Sequence, residues 1–404
     1  MTFQKRMLED VNLTGKRVIM RADFNVPILN GVVEDNYRIL QSIPTIEYAT
    51  RCGASLILVS HLGRPAGMPD SRYSLQPVAK ELTKLLGKRV KMVGKTIGSS
   101  VKKAIAQLKR GDILLLENVR FHPEETSKDK TLRENFASHL AELGDVYVND
   151  AFAVSHREHA STSTIARLMP SCAGLLIKRE ILAFEQILYV PPRPFIVLLG
   201  GIKIETKLPL IRNLLPKVDR LLIGGGMAYN FFKAINLNVG TFKTNDTYVS
   251  EAEALLKQSD GKIELPSDVV AGQLDLELRK PLEKLKVYSR EKIPEDKSGY
   301  DIGPQTIRRW GNMLSSARSI LWNGPVGFFE CKETQRGTFE IAKLLAKLTA
   351  KGTLTIVGGG DSAAAIKKAG LMKKISHLST GGGAFLMYLE GSPLPGIVSL
   401  EDKI

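Results

Sequence analysis

Short runs of aliphatic and β-branched residues recur along the chain, separated by longer segments whose apolar residues return every three or four positions. The first pattern fits strands buried on both faces and the second fits amphipathic helices laid over them. Strands are expected at Arg17–Met20, Leu56–Ser60, Val90–Val93, Ile113–Leu116, Val146–Val148, Phe195–Leu199, Arg220–Ile223, Ser319–Trp322 and Leu354–Val357. Helices between them make this an α/β chain with doubly wound parallel sheets. One helix is sharply bounded over Leu75–Leu86, with Ser74 as N-cap, Pro77 in the first turn and Gly87 just past the end. Pro44 inside the periodic Arg38–Ala49 segment predicts a kink or a later start, because proline brings no N–H to the helix ladder.

The segment Val190-Pro191-Pro192-Arg193-Pro194 cannot continue the helix expected from about Ile177 to Tyr189. At 404 residues the chain exceeds the size at which one core usually stops growing, about 250–300 residues. Two Rossmann-like domains are therefore expected, over 1–176 and from 191 onward, joined by a helix over 177–190. Composition alone leaves the last residues as a tail of the second half.

Composition narrows the function classes. Hydrophobic residues make up 43% and charged residues 25%, so the chain has the material for packed cores. No apolar run reaches the roughly 18 residues of a membrane span and no apolar h-region follows the cationic start, which predicts a cytoplasmic protein without membrane partners. Cys52, Cys172 and Cys331 lie far apart, which argues against a disulfide framework or a zinc site. The net charge of +15 suits polyanions of any kind, so a basic polyanion- or nucleic-acid-binding protein is one alternative. Its basic residues are dispersed, however, and aromatic residues are only 6%, which is poor for stacking bases.

In open α/β sheets ligands bind beyond the carboxyl ends of the strands, so the residues that follow each strand carry the most information. In the first half these are Arg21-Ala22-Asp23-Phe24-Asn25, His61-Leu62-Gly63-Arg64, Glu117-Asn118-Val119-Arg120, and Asn149-Asp150 leading to His156-Arg157, with Arg38 at a helix start. In the second half they are Gly200-Gly201-Ile202-Lys203, Gly224-Gly225-Gly226, Asn323-Gly324-Pro325-Val326-Gly327, Gly358-Gly359-Gly360-Asp361-Ser362 and Ser379-Thr380-Gly381-Gly382-Gly383. Arginine forks suit a small, doubly anionic metabolite. Glycine runs before helices let backbone N–H groups and the helix N-terminus approach a polyphosphate.

Competing motifs fail on spacing. Gly94-Lys95-Thr96 would need a glycine at position 89, which is Arg89, so it is no P-loop. No protein-kinase signature set occurs, and Gly224-Gly225-Gly226-Met227-Ala228-Tyr229 lacks the third glycine of a dinucleotide fingerprint. His156-x-x-His159 has no metalloprotease frame.

Taken in order, R-A-D-F-N-V-P at 21–27, S-H-L-G-R at 60–64, E-N-V-R-F at 117–121, V-N-D-A-F at 148–152, W-N-G-P-V-G at 322–327, G-G-G-D-S at 358–362 and S-T-G-G-G-A at 379–384 make the chain resemble the phosphoglycerate kinase family over practically its whole length. The resemblance implies reversible transfer of the acyl phosphate of 1,3-bisphosphoglycerate to ADP, giving ATP and 3-phosphoglycerate, with Mg²⁺ accompanying the nucleotide. It implies acid binding by Asp23, Phe24, Asn25, Arg38, His61, Leu62, Gly63, Arg64, Arg120 and Arg157. It implies nucleotide binding by Gly200, Gly201, Lys203, Lys207, Gly224, Gly225, Gly303, Asn323, Glu330, Gly359, Gly360, Asp361 and Ser362, with Asp361 linked to the metal. It also implies a monomer, a second domain ending near 390, and a segment 391–404 that returns to the first domain.

The nucleophile in the ATP-consuming direction is then a carboxylate, with a pKa of about 3–4, so no general base is required. Arg38, Lys203 and the N–H groups of Gly358–Gly360 and Gly381–Gly383 are the candidates for stabilising charge, Gly358 and Gly381 among them. Domain closure about the 177–190 helix, the Pro191–Pro194 link and the Ser379–Gly383 crossing is expected to gate turnover and exclude water. The chain departs from the family's commonest pattern at Ile202, Ala153-Val154 and Ser362. A relative that binds nucleotide without catalysis is the other alternative.

Overall fold

The computed structural model describes residues 3–403. The chain divides into two units, Met1–Leu182 with Ser392–Ile404, and Ala183–Gly391. The helix Leu175–Tyr189 carries the chain from the first unit into the second.

The first unit is built on six parallel strands in the order Val90–Met92, Ile113–Leu115, Ser55–Val59, Arg17–Arg21, Val146–Asn149 and Ser171–Ala173. Strand Ser55–Val59 is buried at every position, as a sheet covered on both faces requires. Its core joins Val18, Met20, Leu56 and Leu58 to Ile39 and Ile46 of the helix Tyr37–Arg51 and Val78 and Leu82 of the helix Gln76–Leu86. The terminal segment is bound into this unit, with Arg6 N–H donating to Glu401 O (2.8 Å) and Asn149 Nδ2 to Gly396 O (2.7 Å).

The second unit has its own six parallel strands, ordered Ile263–Glu264, Arg220–Ile223, Phe195–Leu199, Ser319–Asn323, Leu354–Gly358 and His377–Leu378. Numbered along the chain this order is 3-2-1-4-5-6, whose reversal between Phe195–Leu199 and Ser319–Asn323 opens a crevice at their carboxyl ends. An antiparallel sheet of Lys286–Ser289, Asp268–Gly272 and Ser298–Ile302 is inserted before Ser319.

All nine expected strands are present, within a residue at each end. Strands Ser171–Ala173 and His377–Leu378, which complete the two sheets, are too short to give a pattern. The later start offered as one outcome at Pro44, and the Ser74 cap, are corrected. The helix Tyr37–Arg51 runs through Pro44 without starting later, because the carbonyl that loses its donor belongs to Leu40, which is exposed to water. The second helix begins at Gln76, and its entry is held chiefly by Glu117, which accepts from Leu75 N–H (2.9 Å) and Ser74 Oγ–H (2.8 Å), rather than by a Ser74 cap. Gly87 closes that helix in the left-handed region at φ +59°. Among the described residues no helix is long and apolar enough to cross a membrane.

Candidate functional site

In the first unit the strand Arg17–Arg21 ends beside the strand Val146–Asn149, and the residues after it turn sharply. Asn25 N–H donates to Asp23 Oδ1 (3.1 Å), while Asn25 Oδ1 accepts from Gly63 N–H (2.9 Å) and ties two strand-end loops together. Asp23 is buried and ion-paired with Arg38 (Nη1 to Oδ2, 2.7 Å), a residue set in the first turn of the helix Tyr37–Arg51. His61 Nδ1 lies 4.0 Å from the other Asp23 oxygen. Arg120 Nη1 donates to Gly63 O (2.7 Å). Gly63 sits at φ +61°, and a Cβ there would strike the Tyr73 ring at 2.3 Å, so only glycine fits.

Positive charge is concentrated here against burial. His61 is held well below the usual histidine range by its burial and by Arg21, Arg120 and Arg38, so its ring is neutral at pH 7. Burial and neighbouring arginines push His159 down to about 3 and Arg120 down to about 10. Arg64 and Arg157 are exposed, Arg157 donating from Nε to His156 Nε2 (3.1 Å). The side chains of Phe24 and Leu62 belong to the core, so these residues can offer a ligand only their backbone.

The second unit holds a cleft of about 740 Å³ at its switch point. Gly200, Gly201, Lys203, Lys207, Gly225, Glu330 and Asp361 all line it. Two strand-end loops meet here backbone to backbone. Gly200 N–H donates to Asn323 O (2.9 Å) and Gly201 N–H to Pro325 O (2.9 Å). A Cβ on Gly200 would lie 2.1 Å from Pro325 O, and one on Gly324 would lie 2.2 Å from Gly200 O.

Asn323 is a buried junction: its amide donates to Gly358 O (2.7 Å) and its carbonyl accepts from Lys207 Nζ. Ser362 Oγ accepts from Gly324 N–H (2.6 Å) and so ties the start of the helix Gly360–Lys368 to the Asn323–Gly327 loop. Burial brings Lys207 down to about 8, against the opposing pull of Glu390 and Asp361. Gly359 caps the helix Gly360–Lys368 at φ +100°, and Gly381 caps the helix Gly382–Leu389. A Cβ on Gly382 would stand 3.4 Å from Gly360 N, so two helix N-termini converge, each with N–H groups that lack partners within the helix.

Gly224, Gly303, Asn323, Gly358, Gly359, Gly360, Ser362 and Gly381 are not among the residues that line the cleft. Gly224 packs on Val326 and Gly358 on Phe385. Gly303 caps the helix Pro304–Ser315 against Asp268. The pattern of motifs missed the apolar wall. Tyr229 and Phe242, stacked at 4.7 Å, join Phe232, Val269, Ile302, Val326 and Leu276 along the cleft. Part of that wall comes from the inserted antiparallel sheet, which carries no recognisable motif. Ile202 lines the same cleft and is 70% exposed.

Among the described residues no group of three or more His, Cys, Asp or Glu could hold a metal alone. The donor set still fits Mg²⁺ arriving with phosphates, because that ion is ordinarily held by one or two carboxylates plus substrate oxygens. Asp361, in the first turn of its helix and on the cleft wall, offers such a carboxylate.

A family model described as phosphoglycerate kinase matches residues 8–392. A phosphoglycerate kinase of Fervidobacterium nodosum is 46% identical over 403 residues, covering 99% of each chain. One from Pelotomaculum thermopropionicum is 46% identical over 402 residues, covering 99% of this chain and 100% of its own. Among solved structures, phosphoglycerate kinase from Coxiella burnetii superposes with a TM-score of 0.84 at 35% identity, and that from Pyrococcus horikoshii with 0.83 at 31%, each over 98% of both chains.

Proposed function

The chain belongs to the phosphoglycerate kinase family, and on that premise we propose that it transfers the acyl phosphate of 1,3-bisphosphoglycerate reversibly to ADP, as a cytoplasmic monomer. The observation that carries this reading is the cleft at the second sheet's switch point, where Gly200, Gly201, Lys203, Lys207 and Asp361 gather.

In the ATP-forming direction a β-phosphate oxygen of ADP bonds to the acyl phosphorus as the bond from phosphorus to the carboxylate oxygen breaks. In reverse, the carboxylate of 3-phosphoglycerate bonds to the γ-phosphorus and the bridging bond to the β-phosphate breaks. No proton moves in either direction, so the protein's task is positioning and charge stabilisation. Arg38, Arg64, Arg120, Arg157 and the Nε2 side of His61 hold the acid's anionic groups, with Asp23 and Asn25 for its hydroxyl. Lys203, Lys207 and the N–H groups near Gly358–Gly360 and Gly381–Gly383 hold the polyphosphate. When bound, Mg²⁺ held by Asp361 neutralises phosphate oxygens and orients them.

The acid-binding groups and the nucleotide cleft belong to different units. Turnover then requires the units to close, which also keeps water from the acyl phosphate. The comparisons do not favour the polyanion-binding alternative. The test is a coupled assay with 3-phosphoglycerate, ATP and Mg²⁺, reading 1,3-bisphosphoglycerate through its dehydrogenase. A folded sample without turnover overturns the proposal.

A further inference from the structure

Arg21 is a charged side chain with no access to solvent (0%), although it is the last residue of a central strand, where the chain emerges toward Asp23 and Asn25. A buried guanidinium is tolerated only where its donors and its charge are met. Its Nη1 donates to Ala22 O. Its Nε donates to Ser161 Oγ (2.8 Å), and Ser161 Oγ–H donates onward to Glu125 Oε1 (2.7 Å). Glu125 is itself fully buried, and its second oxygen accepts from Ser161 N–H (2.9 Å). Tyr147 OH fixes the same turn by donating to Ser161 O (2.9 Å) and Thr162 O (3.1 Å). Every hydrogen of this chain has one direction, from guanidinium to hydroxyl to carboxylate.

The remaining Arg21 nitrogen, Nη2, decides the chemistry of the site. Nη2 lies 3.1 Å from His61 Nδ1. A guanidinium has no acceptor, so Nδ1 must accept, and the single proton of a neutral imidazole must sit on Nε2. Among the described residues Nε2 has no side-chain partner, so the ring offers a donor N–H on the face away from Arg21. Were the ring to carry its proton on Nδ1 instead, it would meet Arg21 donor to donor and present a lone pair to an incoming anion.

We propose that Glu125 and Ser161 are positioning residues that hold Arg21 so that His61 is locked with its proton on Nε2, the form that donates to an oxygen of the acid substrate. Neither residue reaches the reacting atoms; both act through Arg21. The inference deepens the function proposed above and rests on it only for the substrate's identity.

The experiment uses the whole chain with ¹⁵N-labelled histidine rings. The chain has six histidines, and a His61→Gln protein assigns the His61 signals by their loss. In the substrate-free protein His61 is expected as the neutral ring protonated on Nε2. A ring protonated on Nδ1 in the unaltered protein overturns the proposal without any variant. In Ser161→Ala the Nε donor loses its acceptor and the tautomers should mix. KM for 3-phosphoglycerate should then rise about tenfold, the equivalent of one buried charge-assisted hydrogen bond, while KM for ATP stays within about twofold. Glu125→Gln should shift the same two readouts in the same direction, which keeps the test alive if one variant fails to fold. A folded variant with an unchanged ring and an unchanged KM for the acid overturns the proposal. An unaltered protein with no turnover but an Nε2–H ring overturns the functional reading and leaves the relay standing.

Discussion

Alanine at Gly200 would place a methyl carbon 2.1 Å from the carbonyl oxygen of Pro325, and 2.7 Å from both the Pro325 carbonyl carbon and the Gly324 oxygen. All three atoms are backbone, so no side chain can swing aside. Contacts under 3.0 Å are essentially never sustained, which means the two loops must part by close to 1 Å. Overpacking of that kind costs about 1–3 kcal/mol. The N–H groups of Gly200 and Gly201, bonded at 2.9 Å to Asn323 and Pro325, stretch with it. Each such bond contributes about 1 kcal/mol net, so the total approaches 3–5 kcal/mol. A 1 Å displacement in a phosphoryl-transfer site can lower turnover by about a hundredfold. Gly200→Ala should therefore lower the urea midpoint, weaken ADP binding by calorimetry at least about tenfold, and cut turnover by two orders of magnitude. Gly87→Ala is the control: it also has positive φ, but nothing stands within 4 Å of its Cβ, so it should cost about 1 kcal/mol and leave activity intact. A Gly200→Ala protein with unaltered midpoint and ADP affinity would refute the argument from loop contact.

Arg38→Ala should reduce turnover by about a hundredfold or more, as for a charge-stabilising donor, and near-normal turnover in a folded protein removes Arg38 from that role. Lys207, lowered by burial to about 8, should take up a proton when ADP binds near pH 8–9; calorimetry in buffers of different ionisation enthalpy reads this uptake, which Lys207→Met should abolish. The sign for stability follows from the same shift. The unfolded lysine binds protons up to about 10.4 and the folded one only to about 8, so the cost of burying its charge is full below pH 8 and relieved as pH rises between the two values. Pro44→Ala, at an exposed helix position, should restore the bond to Leu40 O and raise the midpoint of the first unit, by about 1–3 kcal/mol; a lowered midpoint would mean that proline's restriction of the unfolded chain dominates.

The strand-end chemistry was legible because a parallel sheet buries its strands on both faces and leaves polar or glycine residues only where the chain emerges. Arg38, Asp23, His61 and Arg120 could be grouped for that reason, and they do cluster. What stayed hidden depends on distant partners. Nothing local marks Ser161 or Glu125, whose meaning comes from Arg21, 140 positions before Ser161. The apolar wall was equally illegible, because Val269 and Ile302 lie on short antiparallel strands and Phe232 and Phe242 lie outside any motif. Gly200 and Gly324 were visible as glycines, but their reciprocal backbone contact was not.

On the proposed assignment of acid to the first unit and nucleotide to the second, the two units use different physics, and this predicts where the protein senses pH. A small acid with a few fixed oxygens is best met by directional side chains, and the first unit supplies guanidiniums and a His61 ring that burial and neighbouring arginines hold neutral at pH 7. Arg120, even lowered by burial, titrates only near 10, and His159 near 3. A flexible polyphosphate is better met by many backbone N–H groups, which never titrate, and glycine is what lets the backbone come close enough to provide them. The second unit adds to them one buried ammonium, Lys207, whose pKa of about 8 falls inside the working range. Loss of activity on the alkaline side should therefore appear in the KM for nucleotide and leave the KM for the acid unchanged.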